Sequence, residues 1–392
     1  MPRDLDLVLF GATGFTGRLV ADYLARAPHA GRWAIAGRNR EKLDALGLGV
    51  PVIVADALDP AAMADVARRA TAVCTTVGPF SRYGTALVAA CADAGTHYCD
   101  LTAEVHWMRA MIDAHHVAAQ KSGARVVHAC GFDSIPSDLG TWLAQEAMKA
   151  RHGRYGDRVT AYYGAQRGGV SGGTLASAIA IAEAAEDRAV RRVLANPYAL
   201  DPDPTAPRPP APDETALGWD ARERRITAPF VMAASNTRVV RRSHALAGFP
   251  WGHDFVYREV KTFPPSLRGA ALAAGMTLGL GAFAIATQNP WLREQIATRI
   301  PQPGDGPSEA ERERGFWKLE LVVEGGGETL SYRVEDRGDP GYASTSRMLA
   351  EAALCLAHDD LDSEPGFTTP SVAMGDHLAR RLRAAGVTLE VA

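Results

Sequence analysis

The first 150 residues alternate short apolar runs with longer stretches in which apolar residues recur every three or four positions. The runs at 5–10 (LDLVLF), 33–37, 51–55, 72–77, 97–101 and 124–129 have the length of strands. A continuous apolar run suits a strand covered on both faces, as in a parallel sheet. The stretches between, such as 17–27 and 103–121, carry the helical period, and a further helix is predicted over 135–150. Six strands in this alternation predict an α/β fold built on a doubly wound parallel sheet.

Beyond residue 150 the strands lengthen and the connections grow. A second, α+β domain is expected over 151–340, with strands at 158–166, 255–263, 316–324 and 328–335. Gly325, Gly326 and Gly327 turn the last two into a hairpin. The segment 196–214 (NPYALDPDPTAPRPPAPDE) is rich in proline and acidic residues and reads as an exposed, disorder-prone loop, because proline donates no ladder hydrogen bond. From 341 to 392, helices at 342–357 and 372–385 are expected to pack back on the first domain.

With 392 residues, 47% of them hydrophobic and 22% charged, the chain has room for two domains of the soluble globular type. A net charge of −3 with dispersed arginines excludes a nucleic-acid partner from the expectations. Five cysteines without a CxxC pair suggest neither a disulfide framework nor a metal site, and with an N-terminus lacking the pattern of a secretion signal they suggest a reducing, cytoplasmic setting. The segment 269–287 (GAALAAGMTLGLGAFAIAT) carries no charge, and at about 1.5 Å per residue it nearly matches a ~30 Å hydrocarbon layer. Its alanine and glycine content ranks a buried or homodimer-interface helix first, peripheral membrane contact second and a true span last.

The chemistry begins at GATGFTG. Gly11, Gly14 and Gly17 follow the first strand and open a helix, with Ala12, Thr13, Phe15 and Thr16 between them. In a Rossmann-type dinucleotide site three such glycines allow the turn, the close approach of backbone to pyrophosphate, and the packing of helix on strand. The second strand ends in AGRN, which puts Arg38 and Asn39 where an NAD site carries an acidic residue. An arginine there pairs with a 2′-phosphate, so NADP (as NADPH) is the expected cofactor. Asp56, after the third strand, is assigned to the adenine edge. Gly78 and Pro79, after the fourth, are assigned to the nicotinamide half.

GATGFTG with AGRN, then VGPFSRYG, YCDLTAE and GFDSIPSDLG, together resemble the saccharopine dehydrogenase-like oxidoreductases, and in particular their trans-acting enoyl reductase branch. The likeness continues through RGGVSGGTLAS at 167–177. It implies a Rossmann-type NADP-binding domain followed by an α+β domain, hydride transfer, and for the lipid branch an apolar, carrier-linked enoyl substrate. The branch supplies no set of catalytic residues to carry over.

Hydride transfer usually needs a proton donor near the acceptor. Tyr83, Asp100, Glu104 and Asp133 are the candidates by strand order, with His106, Ser134 and Ser137 near them; for Asp100 and Asp133 helix capping is an equal reading. The Tyr-x-x-x-Lys pair of short-chain dehydrogenases occurs only as Tyr257 and Lys261, in a strand-like segment outside the first domain, which disfavours that class. Two other functions stay open: a carbon–nitrogen dehydrogenase acting on an amino acid, and a non-catalytic NADP sensor or scaffold.

Overall fold

The computed structural model describes residues 3–132, 134–169, 171–298 and 306–392. The strands run β1 Leu5–Phe10, β2 Trp33–Gly37, β3 Val52–Val54, β4 Ala70–Thr75, β5 His97–Cys99, β6 Arg125–Val127, β7 Arg158–Arg167, β8 Gly218–Asp220, β9 Arg225–Ala228, β10 Val256–Phe263, β11 Phe316–Gly325, β12 Glu328–Arg337, β13 Gly366–Thr368 and β14 Thr388–Val391. The helices are α1 Phe15–Arg26, α2 Arg40–Asp44, α3 Pro60–Arg69, α4 Phe80–Tyr83, α5 Thr85–Ala94, α6 Val105–Ser122, α7 Ile135–His152, α8 Gly172–Ala184, α9 Arg188–Ala195, α10 Ala233–Leu246, α11 Leu267–Gln288, α12 Pro290–Ala297, α13 Glu309–Glu313, α14 Thr345–His358 and α15 Pro370–Ala384.

The first sheet has the order β13-β6-β5-β4-β1-β2-β3, and its strand pairs are all parallel. The order reverses between β1 and β4, which opens a crevice at their carboxyl ends, the place where open α/β sheets bind ligands. The apolar runs are explained by cover on both faces. Val8, Phe10 and Val73 pack with α3, α5 and α6, while Leu7, Leu9 and Cys74 pack with α14 and α15.

The six expected strands all form, and β13 adds a seventh. Three residues in the motif GFTT gave no period to read, and β13 exists because Phe367 and Thr368 pair with Val126 and Val127. His116 is half-buried and accepts a hydrogen bond from the Phe367 amide at 3.0 Å.

The second sheet has the order β14-β12-β11-β7-β10-β9-β8; only β7 and β10 run parallel. Along β12 the residues Leu330, Tyr332 and Val334 turn inward at period two and join the same core as Leu7 and Leu9, so one core runs from the first sheet to the second. The residues after 341 thus supply a strand to each sheet as well as two helices, with α14 against α1, β1, β4 and β5.

The proline-rich loop departs from expectation. It forms no regular element, yet Ala199, Leu200, Asp201 and Ala211 are buried. Carbonyls that cannot join a ladder are taken instead by arginines. Arg241 donates to Pro197 O at 2.9 Å, Arg242 to Leu200 O, and Arg109 to Asp201 O at 3.0 Å, while Arg238 pairs with Asp213. The long apolar helix departs too. Only 11% of the most apolar window of α11 is buried, so it is not a core helix of this chain.

Candidate functional site

The crevice between β1 and β4 is framed by the glycine turn. Gly11 has φ +95°, which favours glycine, and a Cβ on Gly17 would lie 2.1 Å from the Gly11 carbonyl oxygen, so α1 can pack on β1 only if residue 17 has no side chain. Gly14 differs from both. It caps α1 at φ −71° and ψ 163°, open to any residue, and its Cβ would make only an ordinary 3.5 Å contact. The fold itself does not require glycine at 14. Gly14 also offers no side-chain acceptor to the first amides of α1, which leaves a positive helix end facing the crevice. Thr76 donates its hydroxyl to Gly11 O at 3.2 Å and steadies the turn from β4.

At the end of β2, Asn39 uses its side-chain oxygen to cap α2 through the Lys42 amide at 2.9 Å. Arg40 is held by Asp44 at 3.0 Å. Arg38 is exposed, and among the described residues no carboxylate pairs with it, so its guanidinium is free for a phosphate. Asp56 is exposed at the end of β3 and accepts the Leu58 amide at 3.0 Å. These residues fit an NADP group with a phosphate on its ribose: glycine backbone and an uncapped helix end for the pyrophosphate, a free arginine for the 2′-phosphate.

Phe15 packs its ring against residues far along the chain. It meets the Tyr342 ring edge-on at 4.7 Å between centroids, with the Arg312 guanidinium 5.5 Å above it. The Tyr342 hydroxyl accepts the Gly172 amide at 3.2 Å, which joins the glycine turn to the start of α8. The stretch holding Tyr342 is fixed in turn: Asp339 accepts its amide at 2.9 Å, and Ser344 bonds to Asp336 and to the Trp317 indole.

The acid candidates separate clearly. Asp100 is fully buried, and its two oxygens meet Tyr98 OH, the Thr102 and Ala129 amides and His128 Nδ1 at 2.7–3.1 Å. Four partners occupy the lone-pair sites of a carboxylate, so Asp100 ties β5 to the end of β6. Glu104 is also fully buried. It caps α4 by accepting the Phe80 and Ser81 amides at 2.7 and 3.0 Å, and accepts Ser177 of α8 at 2.9 Å. Glu104 therefore holds the Gly78–Pro79 turn and clasps the two domains together, a clasp repeated on the surface by Arg82 and Glu183.

Tyr83 sits half-buried at the end of α4. Its hydroxyl meets no hydrogen-bond partner among the described residues. Asp133 lies outside the described residues.

A sealed polar network lies deeper. Asn236 bridges Ser134, Ser137 and Glu259 at 3.0–3.2 Å, and Glu259 accepts Tyr257 OH at 2.7 Å. Burial pushes Glu259 up to about 7. Asp138 accepts Ser243 Oγ and the Ser371 amide, tying α7 to α10 and α15, and burial raises it to about 6. On β10 Lys261 is nearly buried and donates to Gly164 O and Gln166 Oε1; desolvation lowers it to about 8.

Sequence reasoning missed Tyr342, Ser177 and Arg312. Ser177 closes the RGGVSGGTLAS stretch but carried no role there, and no motif marks Tyr342 or Arg312; each meets the first domain from an element whose position the rest of the fold sets.

The comparisons agree with this geometry. Residues 7–127 match the family model of the saccharopine dehydrogenase NADP binding domain. A putative trans-acting enoyl reductase of Mycobacterium tuberculosis is 41% identical over 99% of this chain and 98% of its own length. A trans-acting enoyl reductase of Mycobacterium bovis is 38% identical over 99% and 97%. Among solved structures, saccharopine dehydrogenase (L-Glu forming) of Saccharomyces cerevisiae superposes with a TM-score of 0.57 at 15% identity, covering 98% of this chain and 99% of that one, a likeness of fold.

With a saccharopine dehydrogenase NADP binding domain and full-length enoyl reductase relatives, the protein is an NADP-dependent oxidoreductase. The chain belongs to the trans-acting enoyl reductase family.

Proposed function

We propose that the protein reduces the carbon–carbon double bond of an apolar, carrier-linked enoyl thioester in the cytoplasm, with NADPH held by the Gly11–Gly17 turn and Arg38. The observation that carries this reading is the wall facing α4. Helix α8 joins the first domain through Ser177 and Glu104, and between Gly172 and Ala184 it presents Leu175, Ala176, Ala178 and Ile181 as half-buried apolar residues with no lysine or arginine. An amino-acid substrate would want a free cation there for its carboxylate, and Arg82 of α4 is taken up by Glu183; an acyl chain needs none. The relatives' name, enoyl reductase, supports the same reaction.

Bound NADPH supplies a hydride. Saturation of the double bond then needs one proton at the neighbouring carbon, and we assign its delivery to Tyr83, whose free hydroxyl stands one turn beyond Gly78 and Pro79; solvent returns the proton to the phenolate. Glu104 positions this helix through the Phe80 and Ser81 amides and does not touch the substrate.

The test is NADPH oxidation against enoyl-pantetheine thioesters of increasing chain length, beside pairs of amino acid and keto acid. Turnover with the longer enoyl thioesters is expected. Turnover only with the amino-acid pairs would replace the reading with carbon–nitrogen chemistry, and tight NADPH binding without turnover on either panel would make the protein a sensor.

A further inference from the structure

Helix α11 is apolar all round, and only one side of it has a partner. Its 22 residues carry a mean hydropathy of 1.7 over the most apolar window. Gly269, Ala273 and Thr287, spaced by whole turns, face the second domain, where the helix packs on α8, β9 and β10. Leu267, Leu272, Leu278 and Ile285 point outward, the last two each 72% exposed. Trp291, at the start of α12, extends the patch and is also exposed. A helix with this pattern in water implies that something else covers it.

The charges around the patch say what. From Pro264 to Leu292 the sequence has no carboxylate, and its sole charge, Arg268, is exposed at the amino end. At the other end Arg293 is anchored by Glu186 at 2.7 Å, which straps α12 to the end of α8. Two residues after Glu186 begins α9, whose Arg188 and Arg192 are exposed, and no carboxylate among the described residues pairs with either. The apolar stretch, about 33 Å long at 1.5 Å per residue, thus has the unpaired Arg268 at its amino end and a tryptophan at the other, where the paired Arg293 and the exposed Glu294 follow and Arg188 and Arg192 are the cations left without a carboxylate partner among the described residues.

An uncharged middle with basic and aromatic ends is complementary to an anionic bilayer surface, where the apolar face enters the acyl boundary and the arginines meet headgroups. The packed stripe on α8, β9 and β10 opposes a span, since crossing would strip that side from the domain. We infer that α11 is a peripheral membrane-docking helix that lays the enzyme flat on an anionic lipid surface. The inference rests on the exposed helix and its flanking charges, not on the identity of the substrate.

The experiment is flotation of the full chain with vesicles of phosphatidylcholine, alone and with phosphatidylglycerol added. Binding is expected with the anionic vesicles and should weaken as salt is raised. The double variant L278E/I285E should lower the bound fraction at least tenfold while NADPH binding and circular dichroism stay unchanged. R188E/R192E should abolish the preference for anionic lipid. Sedimentation velocity on the same proteins distinguishes the other occupant. A dimer dispersed by L278E/I285E, in a protein that floats with neither vesicle, would overturn the proposal in favour of a second copy. A monomer that floats with neither would overturn it outright. Equal binding to both vesicles would refute the assigned role of the arginines and with it the anionic surface. None of these outcomes depends on turnover, so failure here is separable from failure of the enoyl assignment.

Discussion

The buried carboxylate of Glu104 accepts a hydrogen bond from Ser177 at 2.9 Å and so connects the turn after β4 with a helix of the other domain. The same side chain caps α4. Glu104→Gln keeps the size but points an amide donor toward amide donors. A stability loss on the order of 2 kcal/mol is expected, with a raised KM for NADPH. Ser177→Ala should cost about 1 kcal/mol and leave the α4 cap intact. Chemical denaturation of both variants checks the order, and equal losses would mean that the interdomain bond, not the cap, dominates.

Gly14 and Gly17, one roomy and one tight, should answer differently to the same change. Gly14→Ala leaves the fold stable, because its Cβ has room, but weakens NADPH binding by intruding on the pyrophosphate. Gly17→Ala must push α1 off β1 and should lower the melting temperature by several degrees before any effect on the cofactor is considered. Thermal melts with and without NADPH distinguish the two.

Arg38→Ala should weaken NADPH about tenfold to a hundredfold, the equivalent of ~1.5–3 kcal/mol for a charge-assisted hydrogen bond, and leave NADH unchanged. Calorimetric titration with both cofactors measures it. Unchanged selectivity would remove Arg38 from the phosphate site.

Tyr83→Phe should lower kcat with little effect on the dissociation constant of NADPH, and should remove an alkaline limb from the rate profile if the phenol supplies the proton. Loss of cofactor affinity with kcat preserved would place Tyr83 in binding instead.

Glu259 gives the pH prediction. Burial raises its folded value to about 7 from 4.5, so the folded state holds the proton more tightly than the unfolded one. Its contribution to stability is therefore fully present below about 4.5 and is lost as pH rises through about 7, a swing on the order of 3 kcal/mol. Glu259→Gln should be more stable than the parent at pH 8 and should show a flatter dependence between pH 5 and 8. Parallel denaturation curves for the two proteins across that range would contradict this.

The sequence by itself determined the parts whose signals are local. A run of apolar residues followed by GATGFTG identifies β1, the turn and α1, because strand burial and glycine geometry act within a dozen residues. Arg38 was legible for the same reason, through its place at the end of β2. The hairpin of β11 and β12 was visible in its three glycines. Tertiary structure alone decided the rest. Asp100 had equal claims as an acid or as a tie and Glu104 read as a candidate acid, and only their four and three partners, drawn from segments up to 73 residues apart, made them ties. The proline-rich loop looked free because its own residues cannot pair, whereas the arginines that hold it come mostly from α10. Strand β13 is too short to announce itself and exists through its neighbour β6. Helix α11 read first as a buried or interface helix, and only its packing showed most of it exposed, since hydropathy records what a residue prefers and not what the fold sets beside it.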